Sequence, residues 1–307
     1  MTANTERPTA CPSAASRYRL RALAALAIML SASVAPPLAA QDPTPRDTSA
    51  DGRTIVPRDT ADASRHQTLF TSRDAALAAG FSVLTVAMFP VDRHVAQQLQ
   101  RKDLQTQRFL DRSATGVEWI SSPGAYVIGG GLYAIGRLAH KPNMADLGWH
   151  GTEAVLISSG ITGFLKGALG RARPFVTSDT LARDFKLFGG FGSADRQSFP
   201  SGHTTTAFAA AAAVTSEVRR NWPKYTWYAA PVMYGGASMV GLSRMYHNKH
   251  WASDVVLGAA VGTFSGLKVV RYSHAHPDNP IDKAILHATI APDGHGGGYL
   301  GFNFPAP

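Results

Sequence analysis

The segment that decides the fold spans residues 200–218 and reads PSGHTTTAFAAAAAVTSEV. A polar start rich in helix-starting residue types precedes a long apolar run, which predicts a helix that begins near Ser201. Amides in the first turn of a helix attract anions, and Gly202 lets a ligand approach the backbone closely. His203 would lie beside such an anion, where it could pass a proton to a leaving oxygen. An ordinary capped helix with an incidental surface histidine also explains this segment taken alone.

A basic pair precedes this segment, formed by Lys166 and by Arg173 in the dipeptide Arg173-Pro174. The seven-residue spacing is close to two helical turns, so both side chains could project from nearly the same face. Pro174 disfavours helix at the residue before it, which predicts that the helix ends at Arg173. A compact ammonium beside a planar guanidinium suits phosphate oxygens. A basic pair that only stabilises the helix dipole is the alternative.

A third cluster follows, with Ser243-Arg244, then His250, then Asp254. His250 and Asp254 are four residues apart at the start of a helix predicted from about residue 250, so they can share one face. A carboxylate on one imidazole nitrogen fixes the tautomer and leaves the other nitrogen free to attack. A purely structural His–Asp pair is the alternative for these two residues in isolation.

The rest of the chain is a series of apolar helical stretches separated by polar, Gly- or Pro-marked breaks. The predicted helices cover residues 73–90, 119–138, 148–170, 203–218, 225–244 and 251–269, with a charged surface helix over 92–112. We expect an all-α bundle of about six core helices, forming one domain over residues 67–275. In an up-down bundle the helix ends that carry the three clusters lie on the same side.

The N-terminus has the pattern of an export signal over residues 1–40, with arginines before an apolar run over 22–34 and small residues at its end. An uncleaved anchor helix is the alternative. Residues 41–66 are rich in Pro, Asp, Thr, Arg and Ser, which predicts a flexible linker. The single cysteine, Cys11, lies in the predicted signal, so the mature protein would have no disulfide and no cysteine metal site.

The C-terminal extension, residues 276–307, is the only part with strand-like alternation. Residues 285–290 and 299–304 flank a Pro-Asp-Gly turn and a glycine run, which predicts a terminal β-hairpin. No chemistry is assigned to this hairpin.

Charge and composition narrow the choice of partners. The formal net charge is +9, and removal of the predicted signal, which holds four Arg and one Glu, leaves +6. This basic excess suits an anionic substrate, but no basic stripe alternates with aromatic residues, so we expect no nucleic-acid binding. His247 and the pair His150 and Glu153 lack a paired ligand spacing, so we expect no metal site.

Together the three clusters resemble the three signature motifs of the type 2 phosphatidic acid phosphatase (PAP2) and vanadium haloperoxidase superfamily. The resemblance covers roughly residues 148–270, and eleven motif positions match without substitution. These positions are Lys166, Arg173, Pro174, Pro200, Ser201, Gly202, His203, Ser243, Arg244, His250 and Asp254.

The resemblance implies a role for each matching residue. His250 would be the nucleophile that forms a phosphohistidine, Asp254 its orienting partner, and His203 the acid that releases the alcohol. The residues implied to bind the substrate phosphate are Lys166, Arg173, Arg244, Ser201 and Gly202 through its amide. No metal is required, because three cations and the amides neutralise the phosphate oxygens.

The expected function is therefore metal-independent hydrolysis of a phosphomonoester or a lipid (di)phosphate, with a phosphorylated small molecule or lipid as partner and no cofactor. Two alternatives remain. One is a vanadate-dependent haloperoxidase, in which vanadate is a cofactor instead of an inhibitor. The other is a non-catalytic protein that binds phosphate or a lipid headgroup. Phosphate transfer to an alcohol acceptor also fits the same residues.

The location follows from the export signal. Several uncharged runs approach membrane-spanning length, while those at 154–165, 204–216 and 255–267 fall short. Membrane members of the superfamily have six spans and a cytoplasmic N-terminus, whereas a cleaved signal would start this chain outside. We expect a soluble or membrane-attached bundle whose site faces the periplasm.

Overall fold

The structure, a computed structural model, describes residues 69–286, 289–292 and 298–301. The predicted signal and linker, residues 1–66, lie outside the described residues. The helices are α1 Ser72–Met88, α2 Asp92–Leu99, α3 Lys102–Gln105, α4 Arg108–Ser121, α5 Gly124–Leu138, α6 Pro142–Leu169, α7 Gly202–Asn221, α8 Thr226–Tyr246, α9 Ala252–Ala275 and α10 Pro280–Leu286. Short 3₁₀ turns lie at Pro174–Thr177, Ala194–Arg196 and Pro223–Tyr225. The described residues are therefore mostly helical, which confirms the predicted all-α class.

Helix α7 lies at the centre of the fold, where it packs against α6, α8 and α9. The alanine run predicted as an apolar helix supplies the core, since Ala209, Ala211, Ala212 and Ala213 are fully buried. Small side chains let neighbouring backbones approach closely, so the central helix can be surrounded on three sides.

Helix α9 approaches α7 through a row of glycines, Gly258, Gly262 and Gly266, spaced four residues apart. A Cβ at each position would lie 2.7 Å from the carbonyl oxygen of Ser201, 2.3 Å from that of Thr205 and 2.5 Å from that of Ala209, respectively. No side chain fits at such distances, so this glycine row sets the separation of the two helices. Because Asp254 lies in the first turn of α9 and His250 two residues before this helix, the same row fixes their position against α7.

The predicted helix over 119–138 is wrong as one continuous element. Helix α4 ends at Ser121 and α5 begins at Gly124, with Pro123 between them. Proline lacks the amide that a helix interior needs. A Cβ at Gly124 would lie 2.6 Å from the carbonyl oxygen of Trp119, so the tight corner also requires glycine.

The predicted surface helix over 92–112 is also wrong as one element, because its residues are divided among α2, α3 and the start of α4. Its basic side chains do face solvent for the most part, with Arg93, Lys102 and Arg108 exposed. The first residue of α2, Asp92, is instead fully buried and takes part in the candidate site.

Beyond the core, two short strands, β1 Thr289–Pro292 and β2 Gly298–Gly301, pair antiparallel with Thr289 opposite Gly301. The bounds predicted for the first strand, 285–290, are wrong because helix α10 occupies its first residues. Asn279 starts this helix, since its Oδ1 accepts a hydrogen bond of 2.9 Å from the amide of Asp282. A local cap thus outweighs the alternating pattern.

Within the described residues, one helix, α9, is long and apolar enough to cross a membrane, but 72% of its apolar window is buried inside the protein. Helices α1 and α2 pass the same test only as a pair, with a bend of 66° between them. Core helices of soluble proteins meet this criterion too, so length and composition alone do not decide the location.

Candidate active site

Four helix ends meet on one side of the bundle. Helices α6 and α8 end there, while α7 and α9 begin there. The amide of Ser201 donates to the carbonyl of Asp254 at 2.9 Å, which joins the starts of α7 and α9. A Cβ at Gly202 would lie 3.5 Å from Cε of Lys166, so the lysine side chain passes over the start of α7. The three sequence clusters therefore come together in space.

His250 is buried at this meeting point, with only 3% of its surface exposed. Its Nδ1 lies 2.7 Å from the carbonyl oxygen of Ser198 and 3.4 Å from Oδ2 of Asp254. Both neighbours are acceptors, so Nδ1 carries the proton and Nε2 has a free lone pair. Asp254 was the partner predicted from the sequence, yet the backbone carbonyl is the nearer one.

Asp254 is held by three donors. Nη1 of Arg171 lies 2.5 Å from Oδ1, while the hydroxyl of Ser198 and the amide of Trp251 donate to Oδ2 at 2.5 and 2.8 Å. Burial alone would raise the pKa of Asp254, but Arg171 and the hydrogen bonds from His250 and Ser198 lower it to about 2. The carboxylate is therefore a fixed negative charge beside the imidazole.

Arg171 is the centre of a buried network that sequence reasoning missed. It is fully buried and also pairs with Asp92 of α2 at 2.7 Å. Asp92 in turn accepts hydrogen bonds from the amide and the hydroxyl of Ser253 at 2.8 and 2.6 Å. The aromatic rings around the guanidinium are Phe89, Phe185, Phe199 and Trp251. This network locks Asp254, and through it His250, against α2.

Two of the predicted phosphate-binding cations lie beside the pocket. Nζ of Lys166 donates to the carbonyl of Gln197 at 2.5 Å, and Nε of Arg173 donates to the carbonyl of Ala194 at 3.0 Å. Burial, followed by repulsion from Arg173, lowers the pKa of Lys166 to about 7. The lysine thus lacks a carboxylate partner close enough to restore its usual pKa, as expected of a cation that serves an incoming anion.

Arg244, the third cation, has a carboxylate partner that was not predicted. Its Nη1 lies 2.5 Å from Oε2 of Glu118 on α4, while its buried Nε has no hydrogen-bond partner among the described residues. Glu118 also contacts Nδ1 of His247 at 2.8 Å and the hydroxyl of Ser243 at 3.2 Å. Glu118 therefore positions Arg244 and leaves part of its guanidinium available.

The start of α7 has no side-chain cap. Ser201 occupies the N-cap position, but its hydroxyl accepts from that of Thr204 at 2.9 Å instead of capping the first turn. The helix therefore begins at Ser201 as predicted, but the Ser201 side chain does not cap its first turn. The uncapped turn keeps an anion-attracting end, although the fully buried Ser201 hydroxyl turns into the protein.

The two histidines are both kept neutral. Burial, then repulsion from Arg244, lowers the pKa of His203 to about 4. Burial, then repulsion from Lys166, lowers the pKa of His250 to about 3. A bound phosphate dianion opposes these cations, so its arrival would raise the pKa of both rings. Two neutral imidazoles, three cations and an uncapped helix start thus lie at the same end of the bundle.

Comparisons with known proteins agree with the family resemblance that the three motifs carry. The family model described as PAP2 superfamily matches residues 148–278, the region that carries the three motifs. The chain is 34% identical over 143 residues to the lipid A 1-phosphatase of Rhizobium etli, which covers 46% of this chain and 53% of that protein. It is 49% identical over 69 residues to the lipid A 1-phosphatase of Porphyromonas gingivalis, covering 22% of this chain and 15% of that protein.

These matches span about half or less of each curated relative's own length. Among solved structures, the crystal structure of a transmembrane PAP2-type phosphatidylglycerolphosphate phosphatase from Bacillus subtilis aligns with a TM-score of 0.46 at 20% identity. That alignment covers 66% of this chain and 97% of the other.

Proposed function

We propose that this protein is a metal-independent phosphatase that removes a terminal phosphate from a lipid through a phosphohistidine at His250. The observation that carries the proposal is the state of His250. Its Nδ1 is committed to the carbonyl of Ser198, and its free Nε2 lies within the field of Lys166 and Arg173. A buried neutral imidazole beside cations is suited to attack a phosphorus atom whose oxygens those cations neutralise.

In the proposed reaction, Nε2 of His250 attacks phosphorus and the ester P–O bond breaks. The bound dianion raises the pKa of His203, so this ring is protonated in the complex. The leaving alkoxide then takes the proton of His203. The phosphorylated imidazole is cationic, and the anchored Asp254 stabilises that charge. Water then attacks the phosphohistidine, His203 accepts the water proton, and the P–N bond breaks to release phosphate. No step needs a metal or another cofactor.

A lipid substrate is favoured by the loop between α6 and α7. Its exposed apolar side chains are Phe175, Val176, Leu181, Leu187, Phe188 and Phe191. The loop lies on the end of α6, since the amide of Gly190 donates to the carbonyl of Gly167, one residue after Lys166. Exposed apolar groups beside a phosphate pocket suit acyl chains next to a charged headgroup. The named relatives act on lipid A, so we propose a lipid-linked phosphate of that type.

Exposed apolar side chains also occur on the sides of the bundle, which supports contact with a membrane. Helices α1, α5, α6 and α8 all expose large apolar side chains, including Val83, Val86, Val127, Ile135, Leu156, Phe164, Trp227 and Val232. So many exposed apolar side chains on four helices suit contact with lipid. We therefore propose an exported enzyme that is attached to the membrane with its pocket on the periplasmic side.

The test is phosphate release from lipid phosphates in mixed micelles by the purified full chain. His250→Ala is expected to lower turnover at least about a thousandfold, because the nucleophile is lost while the phosphate pocket remains. His276→Ala is the matched control, since this exposed histidine lies after α9 and is expected to leave turnover unchanged. Unchanged turnover in a folded His250→Ala protein would reject the proposal.

Vanadate separates this function from the haloperoxidase alternative. As a phosphate mimic it is expected to inhibit phosphate release competitively. Halide oxidation that appears only when vanadate is added would favour the alternative.

A further inference from the structure

A second polar cluster lies at the other end of the same helices. His150 of α6, Glu217 of α7 and His274 of α9 meet there. His150 is sixteen residues before Lys166 on α6, a separation of about 24 Å along a helix axis. The cluster is therefore separate from the phosphate pocket and takes no part in the proposed reaction.

The three side chains converge on one oxygen atom. Nδ1 of His150 lies 2.6 Å from Oε1 of Glu217, and Nε2 of His274 lies 2.9 Å from the same oxygen. One ligand atom from each residue lies within 4.8 Å of the other two. Two imidazole nitrogens and a carboxylate oxygen are the donor set that Zn²⁺ and similar divalent metals prefer.

Neighbouring side chains hold the carboxylates in place. Nδ2 of Asn221 donates to the other oxygen of Glu217 at 3.0 Å. Asp282 of α10 lies next to His150 and accepts from Nε1 of Trp149 at 2.8 Å and from Nδ2 of Asn279 at 2.6 Å. Such fixed outer partners are typical of metal sites, where they orient the ligands.

One atom of the cluster is unsatisfied. His150 is only 2% exposed, and its Nε2 has no hydrogen-bond partner among the described residues, although Oδ2 of Asp282 lies 3.9 Å away. If the His150 ring is neutral and Nδ1 donates its proton to Glu217, Nε2 has a lone pair that faces the carboxylate of Asp282. Two electron-rich atoms then face each other. A metal on Nδ1 reverses this arrangement, because Nε2 then carries the proton and faces Asp282 favourably.

The cluster also has an excess of buried acid. Glu217 and Asp282 are 0% and 4% exposed. Among the described residues, the ion-pair partners of Glu217 are the two histidines. Glu153, three residues after His150 on α6, adds a buried Oε2 that has no partner among the described residues. A divalent cation would offset this charge, and Glu153 or water could complete its coordination.

We propose that His150 Nδ1, Glu217 Oε1 and His274 Nε2 bind one divalent metal ion of the Zn²⁺ type. The ion would join α6, α7 and α9 at the end of the bundle opposite the phosphate pocket. Its role is structural, since it adds a cross-link between three helices that otherwise meet there through hydrogen bonds.

The test is a titration of the chelator-treated, dialysed full chain with Zn²⁺, followed by calorimetry and by thermal unfolding. Wild type is expected to bind one ion per chain and to unfold at a higher temperature with Zn²⁺. Co²⁺ in place of Zn²⁺ is expected to give the visible absorption of a nitrogen- and oxygen-ligated ion.

His274→Ala is the diagnostic variant because this side chain is 20% exposed and its removal leaves a small, solvent-accessible gap. It is expected to weaken Zn²⁺ binding at least about tenfold, since one of three ligands is lost. His276→Ala, an exposed histidine two residues on, is the control and should bind Zn²⁺ like wild type.

A wild-type chain that binds no Zn²⁺ overturns the proposal and leaves an imidazolium at His150 between two carboxylates as the explanation of the cluster. Equal Zn²⁺ affinity in wild type and His274→Ala also overturns it. If His274→Ala does not fold, Glu217→Gln takes its place, because it keeps the size of the side chain and removes the anionic ligand. The outcome is independent of the proposed phosphatase activity, which needs no metal.

Discussion

The two ends of the bundle differ in the sign of their buried charge, although the same three helices reach both. At the pocket end, Lys166, Arg173 and Arg244 lie near the buried His250, and burial together with neighbouring cations lowers the pKa of Lys166 and of His250. At the far end, Glu217 and Asp282 are the buried charges, and their nearest partners are imidazoles and amides. We therefore propose that one end binds an anion and the other a cation.

Helix direction contributes to this difference. Helices α7 and α9 both begin at the pocket and end near the far cluster. Helix N-termini stabilise negative charge, and C-termini stabilise positive charge. The orientation of these two helices therefore favours phosphate at one end and an imidazolium or a metal ion at the other.

The largest effect is expected from His203→Asn, which removes the proposed proton donor. Turnover of an alkyl phosphate should fall about 10²–10⁴-fold, because an alkoxide is a poor leaving group without a proton. p-Nitrophenolate leaves without one, so the first turnover of p-nitrophenyl phosphate should stay fast and appear as a burst before a slow steady state. Stopped-flow absorbance measures the burst. A first turnover slowed as much as alkyl phosphate hydrolysis would contradict the assigned role.

The next effect concerns the buried support of the pocket. Arg171→Met leaves Asp92 and Asp254 buried without their cation, which is expected to lower the free energy of unfolding by about 3–5 kcal/mol. Urea unfolding measures the change. Arg196→Met is the control, because its bridge to Asp184 is partly exposed and is expected to contribute at most about 1 kcal/mol. Similar losses in the two variants would refute the special role of Arg171.

A smaller effect is expected in the pH profile. Because the pKa of Lys166 is lowered to about 7, its charge is present below that pH and is lost above it. The kcat/KM for phosphate release should therefore fall about tenfold per pH unit above pH 7, as one essential proton is lost from the free enzyme. Lys166→Arg keeps its charge, so its profile should be flat from pH 7 to about pH 9, whatever its absolute activity. An unchanged alkaline limb in this variant would assign the titration to another group.

The smallest effect on activity is expected at the far end. Trp149→Phe removes the hydrogen bond to Asp282, which should lower the free energy of unfolding by about 1–3 kcal/mol because a buried charge loses a donor. Phosphate release should stay within about twofold of wild type, since Trp149 lies about 25 Å from Lys166 along α6. A large loss of turnover in the folded variant would show that the two ends are coupled.

Short spacings in the sequence predicted which residues lie close together at the pocket end. Seven residues from Lys166 to Arg173 and four from His250 to Asp254 are local geometry, and the structure brings these residues together. Arg171 and Glu118 were missed because their partners are distant in sequence: 83 residues separate Arg171 from Asp254, and 126 separate Glu118 from Arg244. Such pairings depend on how helices pack, which no local pattern encodes.

The far cluster was missed for the same reason, whereas the misplaced boundaries have local causes. His150 lies 67 residues from Glu217, so no ligand spacing appears in the sequence. Pro123 is a residue type that interrupts helices, but the apolar pattern continues across it, so periodicity alone predicts one helix there. The first predicted strand of the hairpin was misplaced because the cap at Asn279 starts helix α10.

The most direct test of the central claim is to trap the enzyme-bound phosphate and locate it. The full chain is mixed with a ³²P-labelled phosphomonoester, quenched in alkali and digested, and the labelled peptide is identified by mass spectrometry. The account predicts an alkali-stable, acid-labile label on His250 that is absent in His250→Ala. Label on any other residue, or phosphate release with no labelled enzyme in rapid-quench samples, would contradict it.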